Sequence, residues 1–112
     1  MIERGTVFAI RSPRSRRGRE QHDHRYAVAV QVSDLQLSTV IVAPTSTAAL
    51  ATSFRPEIEI NGTRTRVLME QLNAVDVHRL GKRVGALSWE ELNDVDRALE
   101  RVLGLTPGAR HL

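Results

Sequence analysis

The segment from Gly18 to Arg25 holds the side chains best suited to chemistry in this chain. Within eight positions it places acidic side chains, two imidazoles and two guanidiniums. Carboxylates and imidazoles can transfer protons, and guanidiniums can stabilise developing negative charge. The mixture is therefore able to combine proton transfer with phosphate binding in one place without a metal ion. A solvated loop is the alternative interpretation, and for His22 it is the preferred one.

The same segment contains His22-Asp23-His24, which could also suggest a metal site. Two histidines at i and i+2 with one aspartate are weak support, because no further ligands follow at a familiar spacing. The chain has no cysteine, so a thiolate zinc site is excluded. We therefore expect neither a metal nor another cofactor.

Positive charge is concentrated around this segment. The net charge of the whole chain is +3, yet six arginines stand against two carboxylates between residues 11 and 25. These arginines are Arg11, Arg14, Arg16, Arg17, Arg19 and Arg25. Such clustering is typical of a loop that faces phosphates, although a solvated basic loop has the same composition.

Two other short motifs could take part in a site. Pro44-Thr45-Ser46-Thr47 places three hydroxyls at the end of a predicted strand, where turn formation is their simplest role. Glu70-Gln71 follows a predicted hairpin, and a surface salt bridge is the simplest role for its acid. We interpret His78, in a short helical turn, as structural.

The rest of the chain must position these residues. Its 112 residues correspond to one domain, predicted over residues 1–104 with a frayed tail at 105–112. No apolar run approaches the roughly 18 residues of a membrane helix, and the N-terminus lacks the apolar stretch of a secretion signal. We therefore expect a cytoplasmic protein.

Short strands dominate the predicted elements. Alternating and β-branched runs, separated by Gly, Pro and Asn-Gly signals, predict strands over Thr6–Ile10, Tyr26–Val32, Ser38–Ala43, Glu57–Ile60, Thr63–Met69 and Arg83–Leu87. Pro44 is expected to stop the third strand. Asn61-Gly62 predicts a hairpin whose return strand turns its threonines and arginines outward. Asp76 is expected to cap a short helical turn that Gly81 ends.

One helix is predicted, from Ser88 to Gly104. Ser88 and Glu91 form a capping-box pattern, apolar residues recur at helical spacing, and Gly104 stands at the C-terminal cap. Few helices lie between the strands, which argues against parallel βαβ units. The predicted fold is therefore mainly β: a small, partly open antiparallel barrel with a C-terminal amphipathic helix.

The order of these motifs resembles the MazF/PemK family of toxin endoribonucleases over roughly residues 4–104. The resemblance rests on five features: Arg4-Gly5, Gly18-x-Glu20-Gln21-x-x-His24-Arg25, Val42-Ala43-Pro44-x-Ser46, Glu70-Gln71 and the C-terminal helix. The glycine-to-arginine segment is the most specific of them. Tyr26 and Leu68 depart from the family pattern, since most members have proline at the first position and some have arginine at the second.

The resemblance implies an SH3-like barrel that forms a symmetric homodimer. It implies the toxin of a bacterial toxin–antitoxin system, inhibited by an antitoxin with an acidic-hydrophobic C-terminal segment. It also implies metal-independent, sequence-specific cleavage of single-stranded RNA, in which the 2′-hydroxyl attacks the adjacent phosphorus. The products are a 2′,3′-cyclic phosphate and a 5′-hydroxyl.

The catalytic residues follow from the resemblance position by position, whereas Arg14, Arg16, Arg17 and Arg19 exceed the usual pattern of the family. Arg25 would stabilise the phosphorane, Ser46 would hold a phosphate oxygen, and Glu20 would assist or act as base. The expected RNA-binding residues are Arg14, Arg16, Arg17, Arg19, His24, Thr45, Thr47, Glu70 and Gln71. Two alternatives stay open: a gyrase-poisoning toxin with the same fold, and a catalytically silent RNA-binding module.

Overall fold

The computed structural model describes residues 1–11 and 25–105, and within these ranges the chain forms seven strands and one α-helix. The strands are β1 (Thr6–Ile10), β2 (Tyr26–Ala29), β3 (Thr39–Ser46), β4 (Glu57–Ile60), β5 (Thr63–Val67), β6 (Asn73–Asp76) and β7 (Leu80–Ala86), and the helix is α1 (Trp89–Leu103). Two short 3-10 helices, Met69–Gln71 and Val77–Arg79, flank β6.

The strands form one curled antiparallel sheet in the order β4-β5-β3-β2-β1-β7, and β6 pairs with β3 outside this path. β3 is the longest strand and organises the sheet: it pairs with β2, with β6 through residues 39–42, and with β5 through Thr45 and Ser46. Because its partners change along its length, the sheet curls into a partly open barrel. The mainly-β fold with a C-terminal helix is thus confirmed.

The prediction that Pro44 stops β3 is wrong. Pro44 lies inside the strand opposite Ala27, and its carbonyl accepts a hydrogen bond from the Leu68 amide at 2.8 Å. Proline lacks only the donor, so a strand can continue where the carbonyl makes the pairing bond. As a result β3 extends to Ser46 and carries two of the three hydroxyl residues.

The β4–β5 hairpin confirms the Asn-Gly prediction. Asn61 and Gly62 have φ values of 51° and 83°, and Ile60 pairs with Thr63 across the two-residue turn. The expected outward direction of the threonines is wrong for Thr65, which is only 5% exposed. Alternation along β5 gives Thr65 and Val67 the same, buried face, while Arg64 and Arg66 occupy the other.

β2 is covered on both faces, as its alternating alanines and valines predict, although it ends at Ala29 rather than Val32. Val28 contributes to the main core, which also contains Met69 of the first 3-10 helix and Val95 of α1. Ala27 contributes to a second cluster on the opposite face, with Val40, Val42 and Val75. The start of β2 is therefore held from both sides.

The second half of the chain departs from prediction in its strands. β6 was not predicted, and β7 begins at Leu80 and includes Gly81, which was expected to end a helical turn. A Cβ at Gly81 would lie 3.0 Å from the Ala9 carbonyl oxygen, so glycine lets β7 approach β1. The turn itself is confirmed, since the Asp76 carboxylate accepts from the His78 amide at 2.8 Å.

α1 forms as predicted. Ser88 and Glu91 complete the capping box, and Gly104 has a left-handed φ of 70°. The Glu91 carboxylate also accepts from the amide of Glu59 in β4 at 2.9 Å, so it attaches the start of the helix to the edge of the sheet. Within the described ranges, no helix has the length and apolar character needed to cross a membrane.

Candidate active site

An open groove of about 670 Å³ lies at the end of the sheet where β2 begins and β3 ends. Uncharged polar side chains and apolar side chains make up most of its surface. Its lining residues are Arg25, Tyr26, Pro44, Thr45, Ser46, Thr47, Ile60, Asn61, Thr63, Thr65, Leu68 and Gln71. Among these described residues, Arg25 alone carries a formal charge.

The pairing of β2 with β3 brings Arg25 and Ser46 to the same end of the sheet. Ala27 pairs with Pro44, so the antiparallel register continues toward Arg25 on one strand and Ser46 on the other. The Thr45 hydroxyl donates to the Tyr26 carbonyl at 3.3 Å, which ties the two strand ends together. The two residues are 21 apart in sequence, and this register is what makes them neighbours.

Arg25 is exposed, and its guanidinium makes no hydrogen bond or ion pair with any residue the structure describes. Its backbone is fixed, since its carbonyl accepts from the Ile10 amide at 2.9 Å. An arginine anchored in the main chain but unneutralised at its head can receive an anion without first breaking a salt bridge. This is the arrangement that phosphate binding requires.

Ser46 and Thr47 follow Arg25 along the groove. The Ser46 hydroxyl oxygen accepts from the Ala48 amide at 3.2 Å, so the turn role considered from the sequence is real. That bond uses the oxygen as acceptor and leaves the hydroxyl hydrogen able to donate. Ser46 can therefore hold a phosphate oxygen while its own position stays fixed.

Glu70 and Gln71 separate from each other in the 3-10 helix. Gln71 lines the groove, whereas Glu70 accepts two hydrogen bonds from Arg55, at 3.1 Å from Nε and 2.7 Å from Nη2. These bonds lower the pKa of the Glu70 carboxyl and raise that of the Arg55 guanidinium. Glu70 thus makes the salt bridge considered from the sequence, and its assignment to RNA binding stays a prediction.

Arg55 was missed in the sequence analysis. Its Nη1 also donates to the Leu50 carbonyl at 3.3 Å, and its own carbonyl accepts from Arg66 at 2.9 Å. Arg55 therefore holds the segment between Thr47 and Pro56 against the 3-10 helix with its side chain and against β5 with its carbonyl. The only signal in the sequence was the spacing between Arg55 and Glu70, and the chain contains too many arginines for that spacing to single out Arg55.

His78 lies in the short helical turn, and its interpretation as a structural residue stays a prediction. Its Nδ1 lies 3.0 Å from the Asp76 carboxylate, and the bonds from His78 lower the pKa of Asp76. In the described part of the chain, no three His, Asp or Glu side chains come together in a group that could hold a metal ion. The absence of a metal in the reaction stays a prediction.

Several predicted site residues lie outside the described ranges: Glu20, His24, Arg14, Arg16, Arg17 and Arg19. Of the residues that flank them, Ile10 at the end of β1 donates its amide to the carbonyl of Arg25, just before β2.

Comparison with known proteins defines the family. The family of PemK-like, MazF-like toxins of type II toxin–antitoxin systems matches residues 3–103. A protein of Mycobacterium tuberculosis named "Putative toxin Rv3098A/RVBD_3098A" is 39% identical over 106 residues, which cover 94% of this chain and all of that protein. The chain therefore belongs to the PemK/MazF-like family of toxins, as the resemblance indicated.

Solved structures agree on the fold at low sequence identity. An endoribonuclease in complex with its cognate antitoxin, from a mycobacterial species, has a TM-score of 0.77 at 15% identity and covers 95% of this chain and 98% of that one. The Mycobacterium tuberculosis toxin MazF-mt6 has a TM-score of 0.73 at 14% identity and covers 90% of this chain and 98% of that one.

Proposed function

We propose that this toxin is an endoribonuclease that cleaves single-stranded RNA without a metal ion, at short sequence motifs, in the cytoplasm. One observation carries the proposal: exposed Arg25, with no ion pair to any described residue, lies in an open groove beside the hydroxyls of Ser46 and Thr47. The family membership and the endoribonuclease named above support it.

The reaction proceeds by attack of the ribose 2′-hydroxyl on the adjacent phosphorus. The new P–O2′ bond gives a 2′,3′-cyclic phosphate, and rupture of the P–O5′ bond releases a 5′-hydroxyl. The step requires a proton acceptor for the 2′-hydroxyl, a proton donor for the leaving oxygen and stabilisation of the phosphorane. We assign the last role to Arg25, the orientation of a phosphate oxygen to Ser46, and an assisting or base role to Glu20.

The charge of the groove favours a polyanion. No carboxylate is among its described lining residues, and Glu70, which precedes the lining residue Gln71, is paired with Arg55. Phosphate contacts supply most sequence-independent affinity for RNA. In this proposal Thr45, Thr47 and Gln71 add hydrogen bonds to the bound strand, and the arginines of segment 12–24 bind flanking phosphates.

The test is cleavage of a 5′-labelled RNA by the purified toxin in excess EDTA. We expect cleavage to persist and the upstream fragment to carry a cyclic phosphate, identified by its resistance to phosphatase until acid opens the ring. Loss of activity in EDTA with recovery on adding a divalent ion would contradict the mechanism. RNA that is bound but never cut would favour the silent RNA-binding module.

A gyrase-poisoning toxin with the same fold is the second alternative. It would inhibit by binding protein, and its action would need no exposed arginine beside hydroxyls in a groove. Supercoiling by gyrase in the presence of the toxin separates the two functions. Inhibition of gyrase without RNA cleavage would overturn the proposal.

We also propose that the toxin is a homodimer. Large apolar side chains remain exposed in the segment between β2 and β3 and at the ends of α1, including Leu37 at 56%, Trp89 at 76% and Leu103 at 52%. Apolar surface of this kind is commonly covered in symmetric dimers. Light scattering at micromolar concentration should give the mass of two chains, and a monomer alone would contradict this part of the proposal.

An antitoxin with an acidic-hydrophobic C-terminal segment is the proposed inhibitor. The mycobacterial endoribonuclease above was solved with its cognate antitoxin. An acidic segment would neutralise Arg25 and the neighbouring arginines while its apolar residues cover exposed surface. A peptide of that segment should compete with RNA, whereas simultaneous binding of both would argue against a shared groove.

A further inference from the structure

The inner part of the groove differs chemically from the end that holds Arg25. This inner part is formed by the lining residues from β4 to the first 3-10 helix, and its described lining is uncharged: Ile60 and Leu68 are apolar, whereas Asn61, Thr63, Thr65 and Gln71 are polar. Phosphate binding favours cations, which this part does not supply among its described residues. Uncharged hydrogen-bonding side chains combined with apolar ones suit instead a flat ring with hydrogen-bonding edges.

Thr65 is the unusual member of this set. It is 95% buried, and its hydroxyl has no hydrogen-bond partner in the part of the chain that the structure describes. A buried hydroxyl without a partner carries an uncompensated cost of desolvation, so native proteins rarely retain one without a use. A valine would fill the same volume in a β-strand without that cost.

Tyr26 supplies an aromatic wall to the same groove. It follows Arg25 directly, packs partly against the main core, and is half-buried. Phe8, Phe54 and Trp89, the other aromatic residues of the chain, are not among the residues that line the groove. Aromatic rings provide stacking surfaces for unpaired bases.

From these observations we infer that the inner groove binds one unpaired nucleobase next to the cleaved phosphate, with Thr65 as a specificity-determining residue that hydrogen-bonds the edge of the base. The inference rests on the proposed function, because the base belongs to the RNA whose phosphate lies at Arg25. Beyond the proposed function, it assigns sequence selection at one nucleotide position to Thr65, which has no role in the cleavage step. Tyr26 contributes stacking to the bound base, and Thr65 determines which base is preferred.

The test compares Thr65→Val, which removes the hydroxyl at constant shape, with Thr65→Ser, which keeps it. Each toxin is incubated with a random-sequence RNA pool, and the cleaved ends are sequenced. We expect Thr65→Val to reduce base preference about tenfold at one position adjacent to the cut, the scale of one good base contact, and to leave other positions unchanged. Thr65→Ser should retain the wild-type preference.

Thr52→Val is the matched control. The Thr52 hydroxyl is also buried without a partner among residues 1–11 and 25–105, but Thr52 is not among the described residues that line the groove, so its removal should leave the cleavage profile unchanged. Thermal melting supplies the second readout: Thr65→Val should melt at or above the wild-type temperature, since it loses an unsatisfied polar group. A threonine whose hydroxyl makes a structural hydrogen bond would instead lower it on this substitution.

The outcomes separate this inference from the proposed function. If the wild-type toxin cleaves RNA and Thr65→Val cleaves the same sequences with the same preferences, the base site is wrong and the nuclease stands. A uniform loss of cleavage at all sequences together with a lowered melting temperature would also overturn the inference. If the wild-type toxin cleaves none of the RNA pool, the proposed function fails and the base site with it.

Discussion

The side chains of Arg55 and Glu70 meet at 2.7 Å between Nη2 and Oε2. Arg55 belongs to the segment that follows β3, and Glu70 belongs to the 3-10 helix whose next residue, Gln71, lines the groove. The guanidinium also lies 5.6 Å from the centroid of the Phe54 ring, within the range of a cation–π contact. The pair therefore connects the segment that follows β3 to the 3-10 helix that supplies Gln71 to the groove.

Stability should depend on the ionisation of Glu70. Its pKa is lowered in the folded protein by the hydrogen bonds from Arg55, so its contribution is complete above the ordinary glutamate pKa and is lost as pH falls through the lowered value. We expect Glu70→Gln to lower the melting temperature most near neutral pH and progressively less as the pH falls below the ordinary glutamate pKa and wild-type Glu70 becomes protonated. Glu3→Gln, at an exposed glutamate with no ion pair among the described residues, is the matched control. A deficit of Glu70→Gln that stays constant across this pH range would contradict the prediction.

Arg25 should dominate catalysis. Arg25→Ala is expected to reduce the rate of RNA cleavage by about a hundredfold or more, the scale for removing one preorganised donor to a developing charge. Arg25→Lys should recover little, because an ammonium cannot reproduce the planar, forked guanidinium. Arg101→Ala, an exposed arginine on α1, controls for the loss of one positive charge. An Arg25→Ala toxin that still arrests growth on expression would refute the assignment.

The arginines of segment 12–24 should act on affinity rather than on site choice. Replacing Arg14 and Arg16 by serine is expected to weaken RNA binding and to reduce the slope of log K against log salt by about 0.7 for each lost phosphate contact with a single strand. The cleaved sequence should not change, because phosphate contacts carry no base information. Arg97→Ser with Arg101→Ser on α1 gives the same change in net charge as a control. An unaltered salt slope would instead favour the interpretation of this segment as a solvated basic loop.

The capping box should make a measurable contribution to stability. Ser88→Ala removes the acceptor for the Glu91 amide and is expected to cost about 1 kcal/mol in the free energy of unfolding. Glu100→Ala, at an exposed position of the same helix, should change it by less than about 0.5 kcal/mol. Denaturant titration monitored by circular dichroism measures both, and equal values for the two variants would show that the cap is unimportant.

Local signals in the sequence predicted local structure well. The Asn61-Gly62 turn, the capping box and the left-handed Gly104 depend on residues within a few positions of one another, and all three were found. β6 and the passage of β3 through Pro44 could not be predicted in this way. Both depend on pairing partners that are distant in sequence. The local pattern around residues 73–76 and around residue 44 does not identify those partners.

The candidate site shows the same division. The resemblance to the family pointed to Arg25 and Ser46 because they occupy positions in known motifs, and the register of β2 and β3 then explained why they meet. Thr65 had no such motif, and alternating threonines and arginines gave no sign of which face was buried. Only the packing of the hairpin over the main core decides that Thr65 turns inward, so a residue of this kind becomes visible only once the fold is known.

The Glu91 carboxylate accepts from the amide of Ser88 at 2.8 Å with one oxygen and from the amide of Glu59 at 2.9 Å with the other. β4 is an outer strand of the sheet, and unpaired amides on such strands are the places where a foreign chain can add itself. One side chain thus starts the helix and occupies a donor that would otherwise be open to another molecule. The Glu91 carboxylate that caps α1 therefore also opposes self-association of the toxin through β4. Loss of Glu91 would promote aggregation as well as unfolding.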